Sequence, residues 1–254
     1  MNLFSSKSAA ERYPKGRPYF HPQVIEHIRT FLSLMKPVSR AIDIGCGTGL
    51  STVALKEIAV KVVGVDMSRE MIALAAREER IKYSVADAVE LPFKEGEFDL
   101  MTLSSAFHWL DRRKFLREAG RVLRSRGWLI VYDNYFSGRM EENISFETWY
   151  RERHLRRYPP PSRAKLNFTE EDSGNEGFHL AGQEHYRNTI SFSIEGLIDY
   201  LTTQSNVIAA VEYGDEQIDG VRLWLTENLK PLFGELQETT FLFYGPIWYL
   251  QKPA

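Results

Sequence analysis

Asp43-Ile44-Gly45-Cys46-Gly47-Thr48-Gly49 is the stretch on which the fold of this 254-residue chain turns. Its three alternating glycines follow a β-rich run and precede a segment with helical spacing. Lacking Cβ atoms, they let the backbone turn sharply and approach a ligand held at the helix N-terminus. A dinucleotide fingerprint would set its third glycine at residue 50, which is Leu50 here, so nicotinamide and flavin binding are disfavoured.

Outward from the turn, residues 39–133 alternate short β-rich runs with longer amphipathic segments, the pattern of a parallel sheet with crossover helices. Strands are expected at Arg40–Ile44, Lys61–Val65, Ile81–Val85, Phe98–Leu103 and Trp128–Tyr132. Helices are expected at Thr48–Glu57, Ser68–Arg80 and Asp111–Leu123, with Ser68 and Asp111 as N-caps. Before this unit, Pro22–Met35 has helical apolar spacing, whereas Tyr13–Phe20, dense in aromatics, prolines and cations, reads as too irregular for a helix. Beyond Tyr132 the rhythm changes. Gly138–Gly182 reads as an insertion, and His185–Phe192, Ser193–Thr203, Asp215–Leu229 and Thr239–Leu250 read as strand, helix, helix and strand. The expected organisation is an N-terminal lid and helix (1–38), a ligand-binding core (39–133), a substrate-side insertion (134–182) and a C-terminal part completing the sheet (183–254).

Asp66 ends the second strand, where a carboxylate can accept hydrogen bonds from both hydroxyls of a ribose. Asp87-Ala88 follows the third strand at the same sheet edge, where an aspartate can accept from an exocyclic amine. Glycine turn and two spaced acids together select a nucleoside ligand.

These residues resemble the class I S-adenosylmethionine-dependent methyltransferases, through Asp43–Gly49, Gly64-Val65-Asp66-Met67-Ser68, Ala86-Asp87-Ala88 and Phe98-Asp99-Leu100, and within them a type 11, trans-aconitate methyltransferase-like branch. The resemblance implies an α/β, Rossmann-like, seven-stranded, mostly parallel sheet with an antiparallel last strand and helices on both faces. It implies S-adenosyl-L-methionine as cofactor, with Asp43, Gly45, Cys46, Gly47, Thr48 and Gly49 around its methionine part. Asp66 would hold the ribose, Met67 would lie against adenine, Asp87 and Ala88 would read the adenine edge, and Ser104 would line the site from the fourth strand. A Tyr and Arg-Pro-x-Tyr element in the same branch implies a lid, with Tyr13 and Arg17 on the cofactor, Arg17 free to meet its carboxylate, and Tyr19 toward the acceptor. Phe107-His108-Trp109 matches an element facing the cofactor from the methyl side, with His108 as the candidate base.

The sulfonium carbon is already electrophilic, so the protein's part is position and exclusion of water. A carboxylate acceptor needs no base; a hydroxyl or ammonium acceptor would use His108. Arg153 and Arg156, in the basic stretch Arg151–Lys165, are candidates to hold an anionic acceptor. No His, Cys, Asp or Glu cluster has metal-ligand spacing, so no metal is expected. With 32 Lys and Arg against 34 Asp and Glu, overall charge does not favour nucleic acid. The single cysteine fits a reducing compartment, so the cytoplasm is the expected location. No apolar run reaches the ~18 residues of a membrane span. The expected function is methylation of a small molecule on a carboxylate or hydroxyl oxygen by a monomer or homodimer. An RNA or protein methyltransferase and a catalytically silent cofactor-binding module remain open alternatives.

Overall fold

The computed structural model describes residues 6–161, 168 and 177–254. They fall into two compact units: Tyr19–Asn134 with Arg163–Tyr186 and Gly245–Ala254, and Met1–Pro18 with Tyr135–Ser162 and Arg187–Tyr244.

The first unit carries the parallel sheet. Strands β1 (Val38–Ile44), β2 (Ala59–Asp66), β3 (Ile81–Val85), β4 (Phe98–Ser104) and β5 (Leu123–Tyr132) lie in the order β3-β2-β1-β4-β5. All four pairings are parallel, and the 247–251 part of a last strand β8 (Thr239–Gln251) adds antiparallel to β5. Strands covered on both faces must be apolar throughout, and β4 is buried from Phe98 to Leu103. On one face, Ile42, Ile44, Met101 and Leu103 pack with Phe115, Leu116, Ala119 and Val122 of a helix at Arg112–Val122. On the other, Ala41, Val62, Leu100 and Ile130 pack with Val24, Ile25 and Ile28 of a helix at His21–Phe31. The order reverses between β1 and β4, the place where open α/β sheets take their ligands.

Ser68 and Asp111 cap their helices as expected, accepting from Met71 N and Lys114 N at 3.2 Å each. The helix after Ser68 ends at Ala73, well short of Arg80. The run Arg77–Arg80 is exposed and gives a further turn no apolar face to bury.

The second unit overturns two expectations. Residues Lys7–Gly16 form a helix despite Pro14, capped by the Ser6 hydroxyl accepting from Ala9 N at 3.0 Å. Packing outweighs the proline: Ala9 and Ala10 are buried, and a Cβ on Gly16 would stand 2.2 Å from the Asp199 carbonyl oxygen. The second correction concerns strand number. Tyr135–Met140 is a strand (β6), paired antiparallel with the 241–244 part of β8, and His179–Phe192 (β7) also pairs β8, giving eight strands among the described residues instead of seven. Phe136 drives this pairing by burying its ring among Phe146, Tyr150, Tyr200, Phe241 and Phe243. Helices at Ile144–Trp149, Ile194–Thr202, Ser205–Glu212 and Ile218–Phe233 complete the unit. No described helix is long and apolar enough to cross a membrane.

Candidate functional site

Parallel register brings the predicted ligand-binding residues of the first unit to one edge of the sheet. Ile44 pairs with Val65 and Leu103, and Asp66 pairs with Val85, so the glycine turn, Asp66, Ala86-Asp87 and Ser104 all stand where their strands end.

Gly45, Gly47 and Gly49 have φ of +64°, +54° and +87°, left-handed values at which an L side chain is strained. Two of them also answer to the protein's own packing. A Cβ on Gly45 would lie 2.6 Å from the Ala106 methyl, and one on Gly49 would lie 2.2 Å from the Tyr83 hydroxyl. The loops after β1 and β4 therefore touch at the strand-order reversal.

Asp43 is fully buried and accepts from Ser51 Oγ (2.6 Å), Thr52 Oγ1 (2.7 Å) and Thr102 Oγ1 (2.9 Å). Burial pushes its carboxyl up to about 6 against the opposing pull of those three hydroxyls. This corrects its expected role: with its oxygens engaged beneath the turn, Asp43 clamps the following helix and β4 and serves a ligand only through the turn it holds. Ser51, Thr52 and Thr102 were not singled out from sequence. Hydroxyls in the first turn after a glycine motif are a usable signal for the first two, whereas Thr102 is recognisable only through strand register.

Asp66 braces the turn from the neighbouring strand. Its Oδ2 accepts from Gly47 N (2.9 Å) and its Oδ1 from Ser68 N (2.8 Å). Burial raises its pKa, opposed by backbone N–H groups of Ser68, Gly47 and Met67. These backbone donors leave the carboxylate acceptor capacity for a ligand hydroxyl. Beside it Met67 is 58% exposed, an apolar side chain presented to solvent at the sheet edge. Asp87 is exposed, its Oδ1 accepting from Val89 N at 3.1 Å, and Ala88 is buried. Thr48 is buried with its hydroxyl unpartnered, an orphaned polar atom inside the turn. Cys46 is buried and its thiol pKa is pushed well up by that burial, which excludes an activated thiolate. A half-buried and an exposed carboxylate, an apolar shelf and an orphaned hydroxyl on one edge fit a nucleoside carrying a polar tail.

At the end of β4, Ser104 is half-buried and hydrogen-bonds Tyr132. The Tyr132 carbonyl accepts from Ser105 N (2.9 Å), fixing Ser105 at φ +52°, and the Tyr132 hydroxyl lies 3.0 Å from Nδ1 of His21. His21 is buried and its pKa is pulled down to about 3, so it stays neutral. His108 is half-buried with its ring 4.8 Å from that of Trp109, which is 38% exposed. Phe107 is a correction: it turns into the core, against Phe115 and Phe168, and not toward an acceptor. Tyr19 is exposed, 6.0 Å from the His21 ring.

Tyr13, Arg17, Arg153 and Arg156 belong to the second unit. Arg17, expected to be free, donates to the Thr203 carbonyl at 2.7 Å, and its guanidinium lies 4.8 Å from the Tyr13 ring and 5.9 Å from that of Tyr200. That carbonyl ends a helix, where a cation meets the negative end of the dipole. Arg156 is also committed, to Glu152 at 2.6 Å on the surface. Arg153 is exposed, and Arg163 and Lys165 of the basic stretch lie outside the described residues. Among the described residues no group of His, Cys, Asp and Glu is arranged to hold a metal ion.

The methyltransferase-domain family matches residues 42–131, the segment from β1 to β5 that bears the turn and both acids. A provisionally named methyltransferase of Dictyostelium discoideum is 26% identical over 218 residues, covering 83% of this chain and 80% of its own. A demethylmenaquinone methyltransferase of Thermus thermophilus is 37% identical over 110 residues, 40% of this chain, which spans 50% of that relative's length. A provisionally named type II methyltransferase from Anaeromyxobacter dehalogenans superposes with a TM-score of 0.69 over 90% of this chain and 97% of its own; at 22% identity this is a likeness of fold. Residues 42–131 thus match the methyltransferase-domain family, and the comparisons support a class I S-adenosylmethionine-dependent methyltransferase of the type 11 branch.

Proposed function

We propose that the protein transfers a methyl group from S-adenosylmethionine to an oxygen of a small molecule, a carboxylate or a hydroxyl. The observation that carries the cofactor assignment is the Asp66–Gly47 bond, which ties the ribose-holding carboxylate of one strand to the glycine turn of the next. In this reading Asp66 accepts from the ribose hydroxyls, Met67 lies along the base, Asp87 accepts from its exocyclic amine, and the turn with Thr48 takes the amino-acid part. The cofactor, when bound, supplies an activated methyl carbon. The chain holds the acceptor in line with it and keeps water out, with Trp109 and His108 in the loop after β4.

A small acceptor is favoured over RNA because three cations of the basic stretch are already paired, Arg151 and Arg156 with Glu152 and Arg157 with Glu216. The Thermus relative supports a second acceptor class, a quinone of the kind in its name. Transfer of isotope-labelled methyl across carboxylic acids, phenols, quinols, RNA and protein separates these readings. Label in an acid or phenol is expected, and label only in RNA or protein refutes small-molecule methylation. A hydroxyl acceptor makes His108 the base, so His108→Gln should lower kcat by ~10²–10⁴; a carboxylate acceptor should leave a smaller loss.

A further inference from the structure

The second unit contains a groove that lies outside the proposed cofactor site. The helix Ile144–Trp149 runs on into a π-helical turn, Tyr150–His154, and the helix Ile218–Phe233 stands beside it. Trp149 Nε1 donates to Asn228 Oδ1 (3.2 Å) and Asn143 Nδ2 to the Leu232 carbonyl (2.8 Å), which hold the two elements together. Between them lies an open cavity of about 580 Å³. Thr148, Glu152 and Arg153 form one wall, Glu227, Asn228 and Pro231 the other, and Trp149 lines it between them.

The charges in this groove are not equivalent. Glu152 already serves Arg156 and Arg151. Arg153 and Glu227 are both exposed, and neither has an ion pair or hydrogen bond among the described residues. One free cation and one free anion thus face the same cavity from different helical elements, with an aromatic and apolar surface between them.

A second observation marks this wall. His154, fully buried, packs its ring against Trp149 (5.6 Å), Tyr150 (5.1 Å) and Trp224 (6.4 Å), and neither ring nitrogen has a hydrogen-bond partner. Single π-helical turns are frequent at functional sites, and an unpaired buried polar group calls for an explanation.

We propose that this groove binds a small zwitterion of the amino-acid class, with its carboxylate on Arg153, its ammonium on Glu227 and its apolar part along Trp149. A guanidinium takes a carboxylate in a forked pair, and the volume suits a single small molecule. The proposal concerns the second unit alone and does not rest on the methyl-transfer reading.

Calorimetric titration with L-phenylalanine and L-leucine tests it, with 3-phenylpropionate lacking the ammonium and phenethylamine lacking the carboxylate. Saturable binding of at least one amino acid is expected, with each phenyl control at least about tenfold weaker than phenylalanine. Arg153→Gln and Glu227→Gln should each weaken binding about tenfold or more without shifting the melting temperature, since both side chains are exposed. Absence of saturable binding up to about 10 mM, controls binding as tightly as the amino acids, or affinity indifferent to both substitutions would overturn it.

Discussion

Gly64→Ala probes the packing that shapes the glycine turn from beneath. Gly64 is buried in β2, with no left-handed strain to confuse the result. The new methyl would stand 2.7 Å from both Cδ1 and Cε1 of Tyr83 and 3.0 Å from Sγ of Cys46. The Tyr83 ring has little room to retreat, because its hydroxyl end occupies the place of the missing Cβ of Gly49. Overpacking of this kind costs ~1–3 kcal/mol, which for a chain of this size lowers the melting temperature by ~2–12 °C. Denaturant unfolding followed by circular dichroism gives the free energy. Replacing Tyr83 by Leu removes the obstructing ring, so Gly64→Ala should be at least ~1 kcal/mol less costly in the Tyr83→Leu background than in the wild type. Equal cost in both backgrounds, or no cost in either, would refute the claim that Tyr83 imposes glycine at this position.

Three further outcomes follow. His154, with its pKa pulled down to about 4 by burial, stays neutral where the unfolded chain, near 6.5, takes up a proton; stability is full above pH 6.5 and falls by about 3 kcal/mol as pH drops to 4. His154→Phe should make that part of the pH–stability curve less steep, the remaining slope including that of buried His21, and an unchanged slope would contradict this. Arg17→Ala, which removes the helix-end hydrogen bond to Thr203 and the contact with the Tyr13 ring, should cost ~1–3 kcal/mol in thermal unfolding even without cofactor; a cost seen only with cofactor present would return Arg17 to the lid role. Cys46, buried and held as the thiol, should react with a maleimide far more slowly in the native than in the unfolded protein, and equal rates would contradict its placement.

What was legible in the sequence follows from locality. β3 matches its expected bounds and the caps at Ser68 and Asp111 are found in place, because strand alternation and capping are written within a few residues of where they act. The glycine turn and the acids after β2 and β3 were readable for the same reason. The helix Lys7–Gly16 was missed because Pro14 and the aromatics after it suggest irregular chain, and what stabilises it is burial of Ala9, Ala10 and Gly16. Tyr135–Met140 becomes a strand through β8, about a hundred residues later. The clamp on Asp43 includes Thr102 from another strand, and Phe107 and Arg17 were assigned outward because periodicity does not say which way a loop side chain turns.

The central claim is that S-adenosylmethionine sits on the turn braced by Asp66. Calorimetric titration of the cofactor into wild type, Asp66→Asn and Asp66→Ala tests it most directly, with circular dichroism confirming that each variant is folded. The account predicts binding by the wild type and a loss of about 10- to 150-fold in Asp66→Ala, corresponding to ~1.5–3 kcal/mol for a charge-assisted hydrogen bond. Asp66→Asn, which keeps one acceptor oxygen, should fall between, and NADH should not compete. Equal affinity in all three proteins would contradict the account.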